Sequence, residues 1–272
     1  KNPSLNARSP VLWNAAFKAN DLNYSMIPID VDIENLEIVL EFLQEDKKCI
    51  GGAITIPYKS NVFNWLGDSV SDEVNNIKAV NCIYKNKEGI FQGTNTDGEA
   101  SLVTFKNKFG ELKNKKVMIM GCGGAGKAVI AYFAQELKNS DLYLTNRDKS
   151  NFNNENRPKN IIWVDWLKKA QILNKIDILI NCTSLGFDKQ TDLAPLQEED
   201  IRLLKKQSIV YDIIYNPEKT LLLNLAEKNG LKIINGSEMN LLQAVLAFKY
   251  VVNNVDKNIN PEKPMREVVK SK

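Results

Sequence analysis

The stretch VMIMGCGGAGKAV, residues 117–129, decides the fold. Four apolar residues run into a glycine loop, and an apolar helical pattern follows directly. Gly121, Gly123 and Gly126 stand in G-x-G-x-x-G spacing, with Gly124 and Ala125 filling the loop. That spacing supplies a tight turn, a backbone that approaches a pyrophosphate closely, and amide donors at a helix N-terminus. The pattern is weak alone. Between a predicted strand and a predicted helix it reads as a dinucleotide-binding turn. Downstream, DLYLT (141–145), DILINC (177–182), SIVYDII (208–214) and LKIIN (231–235) alternate with helical runs such as TLLLNLAEKNG (220–230). Repeated βα units imply a parallel, doubly wound sheet covered on both faces. The polar run NRDKSNFNNENRPKN (146–160) reads as a surface loop.

Upstream, SPVLWNAAFKAN (9–20) reads as a helix, with Ser9 as cap and Pro10 at its first helical position. YSMIPIDV (24–31) and CIGGAITI (49–56) read as strands, IENLEIVLEFLQ (33–44) as a helix. NCIY and GIFQG around the polar KNKE read as a hairpin. TDGEASLVTFKNKF opens a helix that carries the chain into a second domain. The expected architecture is α/β in two domains. Residues 1–97 form an α/β substrate domain and residues 98–236 a Rossmann-type nucleotide-binding domain.

A chain of 272 residues exceeds what one ordinary core comfortably fills. With 36 basic and 33 acidic residues its charge is too balanced to indicate nucleic acid. No apolar run approaches a membrane span, so no membrane partner is expected. Cys49, Cys82, Cys122 and Cys182 are scattered without a C-x-x-C pair, and histidine is absent; no metal site is expected, and isolated cysteines suit a reducing cytoplasm. The first residue is not Met, which reads as an N-terminus short of a few residues.

A chain without histidine needs another group to move protons near neutral pH. Lys59 ends the apolar run GGAITIPYK (51–59), at the end of a strand, where open α/β sheets place ligands. Asp97, in GTNTDG (93–98), begins a helix and serves there either as a cap or as a catalytic carboxylate. At the end of the strand after the glycine loop, an NAD site carries an acidic residue; here TNRDKS places Asn146 and Arg147. A guanidinium suits a ribose 2′-phosphate, so NADP is favoured, with Lys149 adding charge. Asp148 dissents, and NAD use stays open.

Together these segments resemble the shikimate dehydrogenase family over nearly the whole chain. GGAITIPYK is similar to its segment bearing Thr55 and Lys59, KAVNC to that bearing Asn81, and GTNTDG to that bearing Asp97. GCGGAGKA, TNRDKS, NCTSLGF (181–187), YDIIYNP (211–217) and GSEMNLLQA (236–244) follow in family order. The resemblance implies reversible reduction of 3-dehydroshikimate to shikimate by NADPH, in aromatic amino acid biosynthesis. Lys59 and Asp97 are then the acid–base pair. Ser9, Thr55, Asn81, Tyr215 and Gln243 bind substrate. Asn146, Arg147, Thr183, Ser184, Ile213, Gly236 and Met239 join the glycine loop in holding the coenzyme. It further implies that residues 237–272 are helices packing on the first domain, in a monomer or homodimer.

The likeness breaks at two places. NARSP (6–10) keeps Ser9 but has Ala7 where a second serine is usual and Asn6 where histidine is common. Ala53 replaces a usual Asn. A lost hydrogen bond to a charged group weakens binding about tenfold to a hundredfold, unless a neighbour such as Arg8 compensates. Both changes spare the hydride-transfer end. Quinate or another cyclic hydroxy acid is the alternative substrate. A non-catalytic dinucleotide sensor, and a dehydrogenase acting on a folate-type carrier, are the alternative classes. Retention of Lys59, Asp97, Asn81, Thr55, Tyr215 and Gln243 argues against the sensor.

Overall fold

The computed structural model describes residues 7–138, 140–148, 159–253 and 259–270. The chain divides into two compact units, Lys1–Thr96 with Leu241–Lys272, and Asp97–Asn240.

The second unit is built on six parallel strands: β4 (Val117–Met120), β5 (Leu142–Thr145), β6 (Ile161–Trp163), β7 (Ile178–Asn181), β8 (Ile209–Asp212) and β9 (Lys232–Ile234). Their spatial order is β6-β5-β4-β7-β8-β9, so the chain starts in the middle of the sheet and reverses direction between β4 and β7. That reversal is the switch point at which such sheets hold ligands beyond the strand C-termini. Val117, Met118, Ile119 and Met120 are all fully buried, because helices cover both faces of a parallel sheet. α5 (Asp97–Phe109) packs along α6 (Gly124–Leu137), with Gly98 against Ala128 at their close approach.

The first unit holds a three-stranded antiparallel sheet, β1 (Gly51–Ala53), β2 (Cys82–Lys85) and β3 (Phe91–Thr94), in that order. α2 (Leu36–Glu45), α3 (Lys59–Leu66) and α4 (Asp72–Ile77) precede the expected hairpin. One core joins α1 (Ser9–Ala19) to α9 (Ser237–Val252) through Trp13, Phe17, Val245 and Phe248, with Met265 of α10 (Glu262–Lys270) buried among them. A second core gathers Leu40, Val62, Leu66, Ile83 and Phe91.

Three expectations are corrected. Residues 24–31 form no strand: Asn14 Oδ1 accepts from the Met26 N–H at 2.7 Å and Asn14 Nδ2 donates to the Met26 carbonyl at 3.0 Å, so a side chain takes the place of a neighbouring strand. The strand expected over 49–56 is confined to Gly51–Ala53, and a turn begins at Ile56. Ser9 is the first helical residue rather than the cap; Arg8 occupies the cap position without a side-chain cap bond. Most of the loop expected over 146–160 lies outside the described residues.

Candidate functional site

The expected site residues fall into two sets, one in each unit. In the first unit they gather at the end of the antiparallel sheet. The Ile54 N–H donates to the Asn81 carbonyl at 2.7 Å, which extends the β1–β2 ladder to the residue before Thr55. The Val80 N–H donates to the Lys59 carbonyl at 2.9 Å. Lys59, the first residue of α3, is thereby pinned beside the segment that carries Asn81 into β2. It is half-buried; Thr55 is exposed.

Asn81 is buried and lies in a polar network. Its Nδ2 donates to Thr96 Oγ1 at 3.0 Å and to Gln243 Oε1 at 3.4 Å, while its Oδ1 accepts from the Thr96 N–H at 2.9 Å. Thr96 Oγ1 donates to the Gln243 carbonyl at 2.9 Å. Residues 162 positions apart in the chain thus share one network. The Trp13 indole N–H donates to the Ala244 carbonyl at 3.2 Å, which fixes α1, and with it Ser9, against the same helix. Ala53 ends β1, opposite Cys82. Ala7 and Arg8 lie in the segment before α1, and Asn6 lies outside the described residues.

In the second unit the set gathers at the switch point. Gly121 has φ +102°, and a Cβ there would stand 2.7 Å from the Cys182 carbonyl carbon and 2.8 Å from the Thr183 nitrogen. No other residue fits. A Cβ on Gly126 would meet the Gly121 carbonyl oxygen at 2.5 Å, so α6 sits down on the loop. Gly123 caps α6 in an extended conformation and is exposed, leaving the first amides of a 14-residue helix clear of any capping side chain. Gly124 and Ala125 follow as its first residues.

Asn146 braces this loop. Its Oδ1 accepts from the Cys122 N–H at 3.3 Å and its Nδ2 donates to the Asp148 carbonyl at 2.7 Å. Arg147 and Asp148 are exposed beyond β5, and Lys149 lies outside the described residues. After β7, Asn181 Oδ1 accepts from the Thr183 N–H at 3.0 Å and its hydroxyl at 2.7 Å; Ser184 is exposed next to it. After β8, the Ile213 carbonyl oxygen lies so close to Gly236 that a Cβ on Gly236 would overlap it. The Gly236 N–H donates to the Ile214 carbonyl at 2.9 Å, and Met239 is buried in the first turn of α9. Tyr215 is half-buried on the same loop. Asp97 is buried at the start of α5. Burial pushes the Cys182 thiol well above its ordinary value, with the Asp212, Cys122 and Asp97 charges adding to the effect. Asp97 therefore stands near the β4–β7 end of the sheet.

Sequence reading missed Thr96, Asn181, Asp212 and Thr220. The signal was available in ILIN and IVYD, where an apolar strand ends on a polar residue that is itself buried. Among the described residues no cluster of three metal-ligating side chains occurs, and no helix is long and apolar enough to cross a membrane.

Residues 2–83 match the sequence model of the shikimate dehydrogenase substrate binding domain. A shikimate dehydrogenase (NADP(+)) of Methanosphaera stadtmanae is 32% identical, over 97% of this chain and 93% of its own. The chain belongs to the shikimate dehydrogenase family. Among solved structures, a shikimate dehydrogenase in complex with NADP+ is 30% identical, with a TM-score of 0.84 and coverage of 99% of this chain and 93% of that one. The enzyme of Thermus thermophilus, solved with NADP(H) and shikimate, is 26% identical with a TM-score of 0.81, covering 99% and 96%. Within this family the α/β two-domain fold is the common frame, and the polar sets at the two sheet ends sit on it.

Proposed function

We propose that this protein is an NADP-dependent shikimate dehydrogenase, reducing 3-dehydroshikimate reversibly to shikimate. The observation that carries this reading is the pairing, in one chain, of a glycine cradle at the switch point of a parallel sheet with the Asn81–Thr96–Gln243 network in the other unit. The cradle fits a dinucleotide: no side chain caps the α6 N-terminus, and nothing within 4 Å would meet a Cβ at Gly123. Arg147, exposed after β5, is the group for the 2′-phosphate, which makes NADP the coenzyme.

Bound NADPH supplies the hydride that reduces the carbonyl carbon. Lys59 gives its ammonium proton to the carbonyl oxygen as that oxygen becomes a hydroxyl, and steadies the charge developing there. The neutral amine recovers a proton from solvent. In shikimate oxidation the same amine takes the hydroxyl proton. Asp97 accepts from a substrate hydroxyl, while Asn81, Gln243, Thr55 and Tyr215 orient the ring and Ser9 meets the carboxylate. Gly121–Gly126, Asn146, Thr183, Ser184, Ile213, Gly236 and Met239 hold the coenzyme. Four free cysteines suit a reducing cytoplasm, where the protein works as a monomer or homodimer.

The test is reduced-nicotinamide absorbance with shikimate or quinate and NADP or NAD. The reading expects the shikimate–NADP pair to give the highest kcat/KM. A preference for quinate would move the substrate, in keeping with Ala7 and Ala53, and no reduction with any pairing would contradict the enzyme reading.

A further inference from the structure

The ends of β7 and β8 carry a buried polar knot that none of the roles above uses. The strand register sets Asn181 opposite Asp212. Asn181 Nδ2 donates to Asp212 Oδ1 at 3.1 Å, and the Ile214 N–H donates to the same oxygen at 3.1 Å. Thr220 Oγ1, at the cap of α8 (Leu221–Lys228), donates to Oδ2 at 2.7 Å. Asp212 is 0% exposed, and none of these three donors is a cation. Burial pushes its carboxyl up to about 6, against the hydrogen bonds from Thr220, Ile214 and Asn181, which pull it down.

A carboxylate in such a place is costly, and an apolar side chain would fill the space with less desolvation. What the carboxylate does that a hydrophobe does not is to hold two loops in register. On one side Asn181 passes the tie to Thr183 through its other amide atom. On the other, the Ile214 N–H is fixed directly, the Ile213 N–H donates to the Asn181 carbonyl at 3.1 Å, and Gly236 closes on the Ile214 carbonyl.

We propose that Asp212 is a positioning residue of the coenzyme half. Its Oδ1 fixes the loops after β7 and β8, so that Thr183, Ser184 and Ile213 meet the nicotinamide end of NADP in one arrangement. This inference rests on the NADP reading above. Asp212 touches neither coenzyme nor substrate; it acts through Asn181 and the Ile214 amide.

The test titrates the full-length protein with NADPH by fluorescence and compares that dissociation constant with the KM for shikimate at saturating coenzyme. In Asp212→Ala the dissociation constant for NADPH rises about tenfold or more, while the KM for shikimate changes less than about twofold. Asp212→Asn keeps an Oδ1 that accepts from both Asn181 and Ile214, and restores NADPH binding to within about threefold of wild type. Asn181→Ala reproduces the loss, and the double variant adds little to either single one because both cut the same tie. Should Asp212→Ala not fold, Asn181→Ala set against Asp212→Asn carries the same comparison. Wild-type NADPH affinity in Asp212→Ala or Asn181→Ala, or equal rises in both constants, would overturn the positioning role. A wild-type protein that binds no NADPH would contradict the NADP reading instead, and is read from the first titration alone.

Discussion

The two units set polar side chains at the end of a sheet by different means. In the first, amide and hydroxyl groups of Asn81, Thr96 and Gln243 bond to one another, and Gln243 comes from α9, far along the chain. In the second, the network around Asn181 is closed by the carboxylate of Asp212 between adjacent strands of one sheet. Amides and hydroxyls cost less to desolvate than a carboxylate and match the hydroxyls of a ligand as donors and acceptors. A buried carboxylate costs more and accepts from several donors at once, which suits a frame that must not move. On the proposed reading the first network binds and the second braces.

The strongest way to break that contrast is at the loop the brace supports. Gly121→Ala places a Cβ against the Cys182 carbonyl at φ +102°, and NADPH affinity falls by about a hundredfold or more while shikimate binding to the protein is retained. Calorimetric titration of each ligand separately checks this. Next, Arg147→Ala weakens NADP by about tenfold to a hundredfold and NAD by less than about twofold, as kcat/KM for the two coenzymes will show. In the first unit, Thr96→Val removes the hydroxyl that accepts from Asn81 Nδ2 and donates to the Gln243 carbonyl, so the KM for shikimate rises about tenfold with NADPH binding unchanged.

The smallest effect is a pH dependence. The Asp212 carboxyl titrates near 6 in the folded protein, above the ordinary value of 3.8, with burial as the main cause. The folded state therefore binds the extra proton between those values. The stability that Asp212 contributes is fully present below about pH 4 and is lost as pH rises through about 6, by on the order of 3 kcal/mol. Cys182 and Tyr211, which feel the Asp212 charge, are both pushed up chiefly by burial and stay neutral throughout. The Tm of wild type minus that of Asp212→Asn should fall by a few degrees between pH 4 and pH 6.5 and stay flat above. A difference that rises over that window would contradict the brace's buried charge.

Much of the second unit is legible in sequence because each central strand is an unbroken apolar run and the glycines announce the turn. The polar residues that end those runs are harder to read. Asn181 and Asp212 fall within runs read as strands, and only the register of β7 against β8 makes them partners. Residues 24–31 mislead for the opposite reason. Their composition favours a strand, yet Asn14, twelve positions before Met26, captures its backbone. Similarly, the Asn81–Gln243 pairing spans 162 positions, and no local pattern foretells it. Thr96 passes for part of a helix start, although its hydroxyl joins Asn81 to α9.

The claim on which the chemistry depends is that Lys59 moves the proton in a protein without histidine. Its most direct test is the turnover of Lys59→Ala, measured together with its NADPH dissociation constant. The account predicts that kcat falls by about a hundredfold to ten-thousandfold while the dissociation constant stays within about twofold. Turnover at the wild-type rate would contradict it.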